Sequence, residues 1–224
     1  MNRRASVLEL APAQSLTDRA YAEIEEMIIT LRLAPGSAIS ETELSAVLGI
    51  GRTPIREALQ RLARERLVAI FPRRGMFVTD INVTSQLRLL EVRRELERLI
   101  ARSAARRATP EERDRFSALA SAFESAAKAN DDVTFMRIDR DFNVLCSAAS
   151  HNEFAAGAMS LMHSLSRRFW YLHYKQAADM PLTAKLHADI ARAIATGNEE
   201  RAAKASDRLL DAIARFTRAT VIPA

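Results

Sequence analysis

The stretch IGRTPIREALQRLARERLVAIFPRRGMF, residues 50–77, decides how the chain folds. Its Thr53-Pro54 pair predicts a helix start, with Thr53 as N-cap and Pro54 at the first helical position, where a missing N–H costs nothing. Ile55, Ala58, Leu59, Leu62 and Ala63 then recur at helical spacing and define one apolar face. Arg52, Arg56, Gln60, Arg61 and Arg64 occupy the other face, and arginines there can reach phosphates or base edges. A β-like run from Leu67 to Phe71, the tip Pro72-Arg73-Arg74-Gly75 and a second run from Met76 to Thr79 predict a hairpin. A basic-faced helix followed by a basic-tipped hairpin predicts a winged helix-turn-helix, a module that grips double-stranded DNA.

Charge is concentrated in that stretch. The 224 residues carry a net charge of +5 with a pI near 9.9. From Arg52 to Arg74, however, seven arginines face two glutamates. Such a local excess suits a polyanionic partner. A single cysteine, Cys146, excludes an intrachain disulfide and a zinc site built on several thiolates, and reads as a small buried residue. No apolar run approaches the roughly 20 residues of a membrane helix. The opening MNRRASVLELAPAQ lacks the apolar core of a secretory signal, so the expected location is the cytoplasm. Residues 1–14 read as a mobile arm.

Upstream of the decisive stretch, Ser15 and Asp18 resemble a capping box that opens a helix with Ala20, Ile24, Met27, Ile28 and Leu31 on one face. Ala34-Pro35-Gly36-Ser37 breaks it. Ser40 to Glu43 form a fuller capping box before a short helix with Leu44, Val47 and Leu48 on its apolar side. Gly49-Ile50-Gly51 supplies the turn between helices. Glu57 is expected to pair with Arg61, four residues on. Residues 15–80 thus form the expected DNA-binding domain.

From residue 81 to 224 the pattern stays helical, and six amphipathic segments predict an antiparallel bundle. The first is expected to be capped by Thr84 and to carry Leu87, Leu90, Leu96, Leu99 and Ile100. Thr109 opens the second, Asn130-Asp131-Asp132 separates it from a third, and His151-Asn152 marks the next turn. The third segment includes Val144, and the fourth carries Leu161, Leu165, Phe169 and Leu172. Phe169 and Trp170 read as core or dimer contacts, and Pro181 precedes the fifth helix. The fold class is therefore mainly α. A nucleophile elbow, an H-E-x-x-H pair, a Walker loop and a Rossmann fingerprint are all missing, and six glycines leave little for a phosphate-cradling loop.

The run PGSAISETELSAVLGIGRTPIREALQRLARERLV followed by PRRGMFV resembles the winged helix of the GntR family of bacterial regulators. The resemblance implies DNA contacts from Arg52, Thr53 and Arg56 on the recognition helix and from Arg73, Arg74 and Gly75 on the wing. Family members often have an arginine where this chain has Thr42. EVRRELE at 91–97, DRDFNVLCSAASHNEF at 139–154 and LHADIARAIATGN at 186–198 make the second half similar to the FCD ligand-sensing domain of the FadR branch.

Many such domains hold a divalent metal on one Asp and three His. At the corresponding positions stand Asp139, Asn143, His187 and Leu209. Two strong donors and an amide fall short of the three or four that zinc or nickel prefers. A weakly held divalent metal on Asp139, Asn143 and His187 and a metal-free polar pocket both remain open. The candidate effector residues are Arg93, Asp139, Asn143, His163, Arg167 and His187, with Arg93 expected to pair with Glu97. An arginine in the cavity would favour a small organic acid. The resemblance implies a homodimeric, metabolite-responsive regulator, a repressor by the commoner family behaviour, on a palindromic operator. The competing readings are a metal-dependent enzyme on the bundle and a constitutive DNA-binding protein with a filled core.

Overall fold

The computed structural model describes residues 15–177 and 179–220, so the arm expected at residues 1–14 lies outside the described residues. The first unit comprises α1 (Leu16–Ile29), β1 (Ala38–Ile39), α2 (Glu41–Leu48), α3 (Arg52–Arg64), β2 (Val68–Phe71) and β3 (Gly75–Val78). Its starts are set by short polar side chains. Ser15 Oγ accepts the Asp18 N–H at 3.0 Å and Ser40 Oγ accepts the Glu43 N–H at 3.2 Å. α1 ends earlier than its apolar pattern suggests. Leu31, expected on its inner face, instead adopts φ +60° in the turn beyond. At the end of α2, Gly49 takes the left-handed conformation that turns the chain toward α3.

α3 corrects the expected helix start. Gly51 is its N-cap, and no side chain caps it. Thr53 already lies inside the first turn, so its hydroxyl is not placed to cap. Pro54 then falls at the third helical position, whose N–H has no intrahelical partner in any case. The hairpin pairs β2 with β3 antiparallel, from Val68 opposite Val78 to Phe71 opposite Gly75. A third strand, β1, adds to the far edge of β3 through Ala38 opposite Phe77. Two residues are too short to show alternation, so the sequence gives no sign of it. Ile24, Ile28, Ile55, Leu59, Leu62 and Leu67 fill the core between helices and sheet.

Six helices follow: α4 (Val83–Arg107), α5 (Pro110–Ala129), α6 (Asp132–Ala149), α7 (Glu153–Ala177), α8 (Met180–Ala195) and α9 (Glu199–Ala219). Asn82, not Thr84, caps α4, its Oδ1 accepting the Ser85 N–H at 2.9 Å. The expected start of α5 is a full capping box between Thr109 and Glu112. Pro181 sits within the first turn of α8 rather than before it. The bundle has its own core around Phe116, Phe123, Phe142, Leu145, Ile194 and Leu209. Phe169 is buried as expected, whereas Val47, Leu99, Val144, Leu161 and Leu172 are exposed in this single chain. Among the described residues, no helix is long and apolar enough to cross a membrane.

One side chain closes two helices at once. From the first turn of α5, the Arg113 guanidinium donates to Ala105 O at 2.8 Å, near the end of α4. It also donates to Ile194 O at 3.0 Å, in the last turn of α8. A cation at two helix C-termini satisfies carbonyls that have no intrahelical partner and opposes both dipoles. Gly197 is required beside it. At φ +71° its missing Cβ would lie 2.7 Å from Arg113 Nη1.

Helix α7 belongs to both units. Leu165 packs against the first core. Ser164 Oγ donates to the Glu25 carboxylate of α1. Arg168, only 2% exposed, donates to Thr79 O at 2.9 Å, Thr79 Oγ1 at 3.0 Å and Asp80 O at 3.3 Å, where the wing passes into the bundle.

Arg113→Ala leaves carbonyls of α4 and α8 without their charged donor. It should destabilise the chain by about 2–3 kcal/mol, read as a fall in urea midpoint at unchanged m. An unaltered midpoint would show that water replaces the guanidinium at no cost.

Candidate functional site

Two surfaces carry the sequence-predicted residues. On the first unit, Arg52, Thr53 and Arg56 are exposed along the first turns of α3, and Arg73, Arg74 and Gly75 are exposed at the hairpin tip. Arg73 and Gly75 both adopt positive φ, +62° and +97°, which folds the tip tightly between β2 and β3. With no side chain capping α3, its first N–H groups stay open to an anion.

The arginines of α3 are held by α2. Arg56 makes a two-pronged contact with Glu41, Nε to Oε1 at 3.0 Å and Nη2 to Oε2 at 2.8 Å. The hydrogen bonds and charge of Arg56 hold the Glu41 carboxyl below the ordinary carboxylate range. Arg52 donates to Thr42 Oγ1 at 2.8 Å. Glu41 was legible only as a first-turn acid, not as the partner of a recognition-helix arginine. Glu57 does not pair with Arg61. Its carboxylate accepts from Thr17 Oγ1 at 2.7 Å, which fixes α3 to α1. Arg61 instead lies over the Tyr21 ring, 3.8 Å from its centroid, and meets Asp18 and Glu65.

The second surface is a cavity inside the bundle. It has a volume of about 70 Å³, and every candidate effector residue lines it: Arg93 on α4, Asp139 and Asn143 on α6, His163 and Arg167 on α7, and His187 on α8. Leu209 of α9 lines it too, as do Phe135, Phe142 and Trp170. Spacings of four residues aim Asp139 with Asn143, and His163 with Arg167, at one space. The expected Arg93–Glu97 pair is present at 2.5 Å. Trp170 is a cavity wall rather than only a packing residue. Gln86 and Ser166, which sequence reading missed, face the same space and are linked at 3.4 Å.

Asp139 and His187 meet directly, Oδ1 to Nε2 at 3.0 Å, while His187 Nδ1 lies 2.8 Å from Thr183 O. Burial opposes ionisation of Asp139, but the hydrogen bond and charge of His187, with Arg167 and His163, hold its carboxyl below the usual range. Burial and the nearby Arg93 push His163 down, toward the neutral ring. Arg167 Nε is buried with no hydrogen-bond partner.

The donor set fits a resident metal poorly. Two donors 3.0 Å apart could be neighbouring ligands, but the count fails. Asn143 offers a neutral amide and Leu209 none, and the described residues hold no group of three His, Cys, Asp or Glu suited to an ion.

Residues 16–78 match the family model "Bacterial regulatory proteins, gntR family", and residues 88–212 match the "FCD domain". The HTH-type transcriptional repressor RspR of Escherichia coli (strain K12) is 23% identical over 210 residues, covering 94% of this chain and 92% of that protein. The Nta operon transcriptional regulator of Aminobacter aminovorans is 28% identical over 181 residues, covering 79% and 82%. Among solved structures, E. coli McbR/YncC has the same fold with a TM-score of 0.78 at 17% identity, covering 93% of this chain and 99% of that one.

Installing the two missing imidazoles tests the donor count. Asn143→His with Leu209→His should create a chain whose melting temperature rises with micromolar zinc or nickel after chelation. The unaltered chain should show no such rise. A rise in the unaltered chain would mean that solvent or Asn143 completes a working metal shell.

Proposed function

Because the chain belongs to the GntR family of bacterial regulators and carries its FCD domain, we propose that its control of transcription by a metabolite runs through one helix, α7. It is a DNA-binding regulator and not an enzyme. The observation that supports the route is the two-sided placement of α7. His163, Ser166, Arg167 and Trp170 line the cavity. Ser164, Leu165 and Arg168, on the same turns, hold the DNA-binding unit. A small organic acid in the cavity displaces or fixes α7 and so changes how the winged helix is held. Its effect is bounded by its different affinity for the two placements.

In this reading residues 15–80 bind the operator and residues 81–224 sense the effector and dimerise. Arg52, Thr53 and Arg56 enter the major groove from α3, its open N–H groups meet a phosphate, and Arg73, Arg74 and Gly75 follow the wing into the minor groove. Two copies, acting in the cytoplasm, read a palindrome and repress until the acid binds. Val92 and Leu99, seven residues apart on α4 and 53% and 45% exposed, supply an apolar face for the second copy.

Both ends of the route can be tested on DNA selected by the full chain from a random-sequence pool. Arg73→Ala with Arg74→Ala should weaken binding and reduce the slope of log affinity against log salt by roughly 0.9 per lost phosphate contact. An unchanged slope would take the wing out of the interface. Arg168→Met should preserve binding of an organic acid in the cavity while reducing its effect on DNA affinity at least about tenfold. Full retention of that effect would move the route elsewhere.

A further inference from the structure

The charges facing the cavity can be counted pair by pair. Arg93 is matched by Glu97 at 2.5 Å. In the Asp139–His187 pair, Nδ1 must carry a proton, because Thr183 O can only accept. A bare Nε2 facing a carboxylate oxygen at 3.0 Å would be repelled, so a second proton lies between them. Whichever of the two atoms holds it, the pair is neutral as a unit. His163, buried and pushed toward its neutral form, adds nothing. Asn143, Gln86, Ser166 and Thr183 are uncharged.

Arg167 is what remains. Among the described residues it has no hydrogen bond and no ion pair, and its Nε is buried without a partner. The cavity is therefore one positive charge in excess. A half-buried guanidinium whose Nε is cut off from water without an acceptor is costly in that state, and a carboxylate that accepts from it removes the cost. A second carboxylate on the same guest would meet no free cation and would itself be buried unpaired.

Size narrows the guest further. At roughly 10–15 Å³ for each water-sized sphere, a cavity of about 70 Å³ admits about five to seven heavy atoms. Phe135, Phe142, Trp170, Ile213 and Phe216 also line the cavity and offer apolar surface for a short carbon chain.

We infer that the cavity binds a short-chain monocarboxylate directly on Arg167, without a metal, and discriminates against dicarboxylates. The Asp139–His187 pair stands where a cation would otherwise have neutralised Asp139. This inference rests on the cavity being the effector site, and it names the effector's charge and size.

Calorimetric titration of the full chain in excess EDTA decides it, with butyrate, its uncharged counterpart butyramide, and succinate as probes. Butyrate should bind, and butyramide and succinate should bind at least about tenfold more weakly. Arg167→Gln, which keeps hydrogen-bond donors but loses the charge, should weaken butyrate at least about tenfold. Its own melting temperature without ligand should be unchanged or raised, since a half-buried guanidinium with an unpartnered Nε is gone. Should that variant fail to fold, the comparison of butyrate with butyramide on the unaltered chain decides alone.

Equal or tighter binding of succinate, a need for added zinc, retained butyrate affinity in Arg167→Gln, or no binding of butyrate at millimolar concentration would each overturn the inference. Affinity for the selected DNA, followed in parallel, separates it from the reading beneath. Butyramide that binds best and alters DNA affinity would overturn the charge rule and leave the sensor standing. Butyrate that binds through Arg167 yet leaves DNA affinity unaltered would uphold the charge rule and overturn the sensor.

Discussion

A buried guanidinium holds the two halves of this chain in register. Arg168 lies in the seam between them and donates only to carbonyl and hydroxyl oxygens of Thr79 and Asp80. Burial lowers its pKa to about 10, with Asp80 acting the other way, so it stays charged at neutral pH. A cation removed from water and hydrogen-bonded only to neutral oxygens, with one carboxylate nearby, tolerates little displacement, because every lost contact leaves charge unsolvated. Thr79 is itself committed, its hydroxyl donating to Arg66 O at 2.8 Å and its N–H to Leu67 O at 3.0 Å. The residues that lead into and out of the wing thus share one hydrogen-bonded junction with α7.

In the cavity beside that junction, Asp139 is neutralised in a different manner from a metal centre. Asp139 keeps the position a metal-binding carboxylate would occupy, yet its partner is the His187 imidazole, Nε2 at 3.0 Å from Oδ1. Phe123, Phe135 and Phe142 surround that imidazole, with ring centroids 5.1–5.6 Å away. Aromatic packing and a hydrogen bond at each ring nitrogen fix its orientation. Leucine at position 209 then makes sense as packing, because it is 2% exposed in the bundle core.

What could be read from the sequence depended on how local the cause was. The α3 amphipathic face, the glycine that turns α2 into α3 and the Thr109 capping box are set within a few residues, and each was visible. Convergence of Asp139, Asn143, His163, Arg167 and His187 was visible through i, i+4 spacing together with family resemblance. Features fixed across the fold were not. Thr17 meets Glu57 forty residues away, β1 is two residues long, and nothing local distinguishes Gly51 from Thr53 as the cap. Arg167 could be assigned to the cavity by its spacing from His163, but nothing local marks Arg168, its neighbour, as a residue of the seam. Only the packing of α7 sends one arginine to the cavity and its neighbour to the seam.

The Glu41–Arg56 clasp bears on how such a protein finds its site. An unclasped arginine on the recognition helix would adhere to any phosphate it passed. Here the guanidinium is already occupied, and a passing phosphate must compete with a carboxylate that offers the same two-pronged geometry. Arbitrary duplex gains little from that exchange, while a base edge that matches both prongs gains more. In the proposed interface, a side chain held this way would lower adhesion to non-cognate sequence, and the protein would spend less of its search time trapped between genuine targets.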